Sequence, residues 1–215
     1  MKEINLQEWK RKDHFAFFHR MDYPHYNVCF NLDITDCYNV IKAKRLPFYL
    51  TMIYLSTISA NSVEEFRYRI RDGKVYLHDR LHPSFTYLAE DSDLFRMITV
   101  EMNKDYGDFI EAATMKIHNQ KAYFVAEDFI HRDDYIYYTA LPWISFTHLS
   151  HTINFNKNDS VPRLSWGKYF KENSRMKLPY SVQVNHALAD GIHIGRFIEE
   201  LEKNLRVFGT NENGI

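Results

Sequence analysis

Cysteine is scarce in this 215-residue chain, with Cys29 and Cys37 alone. Two thiols cannot build a disulfide framework, and they read as reduced groups in a cytoplasm. Long apolar runs are absent too. No stretch approaches the roughly eighteen apolar residues needed to cross a bilayer. Residues 1–11 carry no apolar signal region. Neither sign of charge dominates: 27 Lys+Arg stand against 28 Asp+Glu, a net charge of −1. That balance gives no strong field to draw nucleic acid or an anionic membrane, so neither partner is expected. The sequence also lacks repeats, low-complexity tracts and Gly/Pro/Ser linkers, so residues 1–215 are expected to form a single domain. The eleven histidines are dispersed and show no ligand spacing with Cys, Asp or Glu, so no metal is implied.

Aromatic residues are plentiful, with 15 Tyr and 16 Phe. They favour sheet and deep packing, and they can wall an apolar ligand site. Apolar alternation predicts strands at 27–34, 84–89, 135–141, 151–155, 164–170 and 178–184. Residues 66–78 alternate around Asp72-Gly73, the signature of a type I′ hairpin. Residues 172–174 read as a turn into the last strand. Helices are expected over 9–18, 48–61, from 101 to about 118, and from 191 onward. The segment 46–60 is apolar-rich yet contains Thr51, Ser56, Thr57 and Ser59, and reads as a buried helix. Helices and strands interleave without a regular βαβ rhythm. The expected fold is therefore α/β, a two-layer sandwich with helices on one face of a mixed sheet.

The most informative stretch is 182–191, Val-Gln-Val-Asn-His-Ala-Leu-Ala-Asp-Gly. It places His186 at the end of a strand, with Asp190-Gly191 opening a helix. Histidine titrates near neutral pH and serves as a general base, while Gly191 permits a sharp exit from the turn. A short motif of this kind also arises by chance in a chain with this many histidines, leaving a structural histidine as the other reading.

The chain as a whole resembles the chloramphenicol acetyltransferases, coenzyme A-dependent acyltransferases that share the His-x-x-x-Asp-Gly motif. The likeness runs through Trp9-Lys10-Arg11 to His14-Phe15, Leu32 to Thr35, Glu65-Phe66-Arg67 to Asp72-Gly73, and His82 to Thr86. It continues through Thr139 to Trp143 with Phe146, Gly167-Lys168-Tyr169, and Gln183 to Gly191, in order and at matching separations.

The resemblance implies an enzyme transferring acetyl from acetyl-CoA to a hydroxyl of chloramphenicol or a similar small acceptor. No permanently bound cofactor is implied, acetyl-CoA being a co-substrate. His186 matches the catalytic base. Asp190 is a candidate triad partner for it, but the family reading pairs Asp190 with Arg11 to hold the active-site turn. Arg11 alternatively belongs to a solvated basic face with Lys10 and Lys12. Thr139 stands where the family has a serine that steadies the oxyanion. Ser165 matches a threonine that binds a water nearby. Trp143, Lys168 and Tyr169 are candidates for the coenzyme side, or equally scaffold. The acceptor pocket falls on Phe18, Pro24, Thr86, Phe95, Leu149, His151 and Arg163.

Three departures bear on the acceptor. Asn185 replaces the histidine that usually precedes the base, at a position read as pointing away. Leu149, His151 and Arg163 make a more polar slot than the family's, unless Arg163 turns to solvent. Pro24 stands where another small pocket residue lies. The resemblance further implies a homotrimer with active sites at subunit interfaces. Two alternatives remain open: the same fold acylating a different acceptor, or a non-catalytic coenzyme A binder.

Overall fold

The computed structural model describes residues 1–210 except 91, 103–104, 129–131 and 154. Along the chain the strands are β1 (Lys2–Glu3), β2 (His25–Asp33), β3 (Tyr68–Arg71), β4 (Lys74–Leu77), β5 (His82–Tyr87), β6 (Arg96–Thr99), β7 (Tyr135–Leu141), β8 (Arg163–Gly167), β9 (Phe170–Glu172) and β10 (Arg175–Asn185). The helices are α1 (Lys12–Phe18), α2 (Thr35–Lys44), α3 (Phe48–Asn61), α4 (Tyr106–Asn119) and α5 (Gly191–Thr210). The main sheet runs β2-β10-β8-β7-β5-β6, with β9 also on β10. Pairs β5/β7 and β7/β8 are parallel and the rest antiparallel. This is the expected mixed sheet. The Asp72-Gly73 hairpin does not join it; β3 and β4 pair with β1 in a separate three-stranded sheet. Both turn residues have positive φ, 49° and 77°, as a type I′ turn requires. Asn173 and Ser174, with φ of 46° and 66°, turn β9 into β10 in the same way.

Alternation along the strands divides the sheet into two different faces. Tyr138, Leu164 and Val182 lie side by side and belong to the main core, against residues of α2, α3, α4 and α5. Helix α3 lies at its centre, with Leu50, Met52, Ile53 and Leu55 buried on several sides. Its polar residues are matched rather than exposed. Thr51, Ser56 and Thr57 meet the hydroxyls of Tyr106, Tyr180 and Tyr138 at 2.7–2.8 Å, and Ser59 accepts from Asn204 at 2.9 Å. A buried hydroxyl with a partner avoids the desolvation penalty that would otherwise exclude it from a core.

The opposite face carries the next row, Thr139, Ser165, Ser181 and Cys29. Ser165, Ser181 and Gln183 there are fully buried because the chain between β7 and β8 lies across them. That segment was expected to contain a strand at 151–155. Its described residues, all but 154, form none. Side chains hold it instead: Asn27 Nδ2 donates to the Leu149 carbonyl at 2.7 Å, and Asn185 Nδ2 to that of Asp159 at 3.0 Å. Two helices also start later than their apolar spacing suggests. α1 begins at Lys12, and α4 at Tyr106, where the Asp105 carboxylate accepts from the Asp108 N–H and caps it. A second, smaller core joins α1 to the three-stranded sheet through Phe15, Tyr68, Ile70 and Val75, and it includes Ala187 and Leu188 of the turn before α5.

Candidate active site

Every backbone contact of that turn fixes His186. Its N–H donates to the Pro24 carbonyl at 2.7 Å. Leu188 and Ala189 N–H both donate to the Asn185 carbonyl at 3.0 Å, and Ala187 N–H donates to Asn185 Oδ1 at 2.9 Å. Arg11 closes the loop from outside. Its Nε donates to the Ala187 carbonyl at 2.9 Å and Nη2 to that of His186 at 2.7 Å. The same guanidinium grips Asp190, with Nη2 on Oδ1 at 2.5 Å and Nη1 on Oδ2. A planar fork suits this bidentate grip, and a lysine could not reproduce it. Bonding to Arg11 holds the Asp190 carboxyl below its ordinary range against the opposing effect of burial. Arg11 is thus mostly buried, with 11% of its side chain exposed, and no part of a solvated face.

The His186 ring lies flat against Phe18, with centroids 3.9 Å apart and planes 9° from parallel, and Tyr26 packs at 4.5 Å. Asp190 Oδ1 stands 3.0 Å from Nδ1. The distance alone suggests a His–Asp pair, but Nδ1 is buried and makes no hydrogen bond. The geometry decides the question, since a hydrogen bond needs alignment as well as proximity. The side chain is 33% exposed. With Nδ1 enclosed, that exposure is on the Nε2 side. Burial, with Asp190 nearby, pushes the Tyr26 phenol up to about 12, so its hydroxyl stays protonated at neutral pH.

The other expected site residues fall in two further places. Thr139, Thr86, Phe95, Trp143, Lys168 and Tyr169 line one cavity of about 820 Å³, whose walls also include Tyr49 and Trp166. A Cβ on Gly167 would stand 2.5 Å from the Ile144 carbonyl, so glycine lets the chain after β7 close one side of this cavity. Leu149 and His151 instead belong to the covering segment itself, and Ser165 and Arg163 to the sheet face beneath it. Ser165 Oγ lies 3.1 Å from His151 Nε2. Burial and the charge of Arg163 depress His151 to about 4, so the ring is neutral at pH 7. Arg163 turns neither into an open slot nor out to solvent. It donates to Asp159 Oδ2 at 2.8 Å and lies over the Tyr137 ring.

The turn and the cavity are well separated within one chain. Thr139 pairs with Ser165, which pairs with Ser181, and Asn185 lies four residues further along β10. At about 3.3 Å per residue and about 4.8 Å per strand, the end of β10 is about 16 Å from Thr139.

A family described as "Chloramphenicol acetyltransferase" matches residues 1–202. The chain belongs to the chloramphenicol acetyltransferase family. It is accordingly an acyltransferase by family. A chloramphenicol acetyltransferase of Clostridium perfringens is 31% identical over 205 residues, covering 93% of this chain and 92% of its own. One from a Klebsiella species is 28% identical over 202 residues, covering 93% and 91%. A solved chloramphenicol acetyltransferase superposes with a TM-score of 0.88 at 25% identity, covering 95% of this chain and all of its own.

Within this family member, sequence reasoning passed over several residues that build the site. Tyr26 flanks His186, and Asp159 anchors both Arg163 and Asn185. Asn185, read as pointing away, is 2% exposed and holds the turn through both ends of its amide. Asn27 links Ser181 to the covering segment. The one available signal was compositional: Asn and Asp at strand ends favour local side-chain to backbone bonds.

Proposed function

We propose that this chain transfers the acetyl group of acetyl-CoA to a hydroxyl of chloramphenicol or of a small acceptor like it. The observation carrying this reading is the mounting of His186, whose ring is clamped by Phe18 with Nδ1 enclosed and the Nε2 side open. Nε2 takes the acceptor's hydroxyl proton as that oxygen attacks the thioester carbon. The tetrahedral intermediate carries its negative charge on the former carbonyl oxygen, and the Thr139 hydroxyl donates to it. Collapse breaks the carbon–sulfur bond, and the departing thiolate takes the proton back from the imidazolium. Arg11 and Asp190 hold the turn rather than move protons. The acceptor contacts are assigned to Phe18, Pro24, Thr86, Phe95, Leu149 and His151, with Arg163 held on Asp159 and so removed from direct contact, and the water near the oxyanion to Ser165.

Acetyl-CoA is assigned to the Trp143, Lys168 and Tyr169 side of the cavity beside Thr139, the Thr86 and Phe95 side being left to the acceptor. Trp143 and Tyr169 offer flat walls for its adenine or pantetheine, and Lys168 offers a charge for a phosphate. The separation of Thr139 from His186 then requires the two to come from different copies. We assign the chain to a homotrimer with its sites between subunits. Exposed Phe17, Tyr23, Trp143, Ile144 and Phe155 supply apolar surface for that contact. The free thiols suit a reducing cytoplasm, and among the described residues no helix is long and apolar enough to cross a membrane.

The test is thiol release from acetyl-CoA with and without chloramphenicol. The parent should release thiol only with the drug, and His186→Ala should be slower by on the order of 10²–10⁴-fold. Equal rates in the two proteins would remove His186 as the base. No release by the parent, with acetyl-CoA bound, would move the acceptor elsewhere.

A further inference from the structure

Aspartate caps helices well because its carboxylate accepts from N–H groups of the first turn. Asp190 stands directly before α5, yet both its carboxylate oxygens face Arg11. The reciprocal half of a cap is nevertheless present. The Asp190 N–H donates to His193 Nδ1 at 2.8 Å. In a capping box the third helical residue reaches back in this way, usually through Glu or Gln; here an imidazole does so. A ring nitrogen that accepts carries no proton, which places the ring's proton on Nε2. There Glu65 Oε1 lies 3.2 Å away, and the His193 side chain is only 11% exposed.

We infer that His193 is a positioning residue for the acetyl transfer, its neutral Nε2–H tautomer, oriented by Glu65, fixing Asp190 and through Arg11 the turn that presents His186. The inference rests on His186 being the base. Without the bond at Nδ1, the Asp190 backbone is free to rotate its carboxylate off Arg11, and Arg11 then releases the carbonyls of His186 and Ala187. Protonation at Nδ1 has the same effect, because two N–H donors then face each other. Four charged groups surround the ring: Glu65 before β3, Arg11 before α1, and Asp190 and Arg196 at α5. Burial is the largest influence and, with the two arginines, outweighs the carboxylates, lowering His193 from its ordinary value. The accepting Nδ1 marks the ring as neutral, and the downward shift means that it takes up its second proton, and the turn loosens, at lower pH than for an ordinary imidazole.

Two substitutions and one spectrum test this. His193→Leu fills space without an acceptor, whereas His193→Asn places a carbonyl oxygen near the Nδ1 position and cannot titrate. The Leu variant should lose kcat by on the order of 10–100-fold, as a displaced reacting group does, with the KM for acetyl-CoA within about twofold. The Asn variant should recover most of that loss, and its acid limb of kcat/KM should lack one ionisation. Equal activity of the two variants, or lowered melting with unchanged kcat, would overturn the assignment. Imidazole nitrogen–proton NMR of the parent should show His193 bare at Nδ1 and protonated at Nε2 at pH 7, with the Asp190 amide shift following its titration. The opposite tautomer would overturn it whatever the turnover, including where the Leu variant does not fold. A parent that releases no thiol with chloramphenicol would instead count against the proposed reaction, and the spectrum would still decide the His193 arrangement.

Discussion

Arg11 and Asp190 illustrate how a single pair can hold a turn, here the one that presents His186. Four guanidinium bonds leave Arg11, two to carbonyls of the turn and two to the carboxylate. Removing the charge while keeping the shape isolates the pair. In Asp190→Asn an amide N–H replaces one acceptor and faces a donor. Loss of a hydrogen bond to a charged group contributes about 1.5–3 kcal/mol. For a chain of this size that corresponds to a melting point lower by roughly 3–12 °C. Turnover should fall as well, because His186 loses its frame. Calorimetry beside the thiol assay measures both. Unchanged melting with lost turnover would transfer Asp190 from architecture to chemistry, as a partner of His186 Nδ1 after all.

At the scale of elements, the edge of the cavity beside Thr139 depends on one glycine. A Cβ at position 167 would meet a backbone oxygen at 2.5 Å and the Phe146 ring at 3.0 Å. The Lys168 N–H also donates to the Ile144 carbonyl at 2.7 Å, locking the two segments together. Gly167→Ala must push the chain carrying Trp143 and Ile144 away from β8. Overpacking of this kind costs about 1–3 kcal/mol, and the KM for acetyl-CoA should rise severalfold while kcat changes less. A variant with parental melting and KM would show that this approach is not needed. Elements built from local rules were legible in the sequence. Helix α3 follows from apolar spacing, and the β3–β4 hairpin from the φ demands of Asp72-Gly73. Helix α2 was not, for it buries only Cys37 and Ile41 and so has a thin stripe. The strand expected at 151–155 alternates as a strand should, but tertiary bonds from Asn27, Ser165 and Asn185 hold its neighbourhood irregular. The motif around His186 contains Asp190, and the family resemblance pointed to Arg11 as its partner. Glu65 and His193 meet across 128 positions of chain, a pairing that no local pattern contains.

The whole molecule poses the sharpest question, because one chain holds Thr139 and the end of the strand that leads into His186 about 16 Å apart by strand register. A thioester carbon cannot touch both across that gap. If the reaction is as proposed, each site takes His186 from one copy and Thr139 from the next, in a closed ring. Light scattering should then give a mass three times the 25.8 kDa chain. Mixing provides the stronger test. His186→Ala and Thr139→Ala chains are each impaired alone, the latter by on the order of 10²–10³-fold for loss of one oxyanion donor. Refolded together in equal amounts, they form mixed rings. A site works when its His186 comes from a Thr139→Ala chain and its Thr139 from a His186→Ala chain. Random assembly yields that combination in about a quarter of sites, so the mixture should regain about a quarter of parental activity. A site contained within one chain would regain nothing, since every chain then carries a defect in its own site. Recovery would therefore locate the reaction between subunits and would explain the apolar side chains left exposed on the isolated chain.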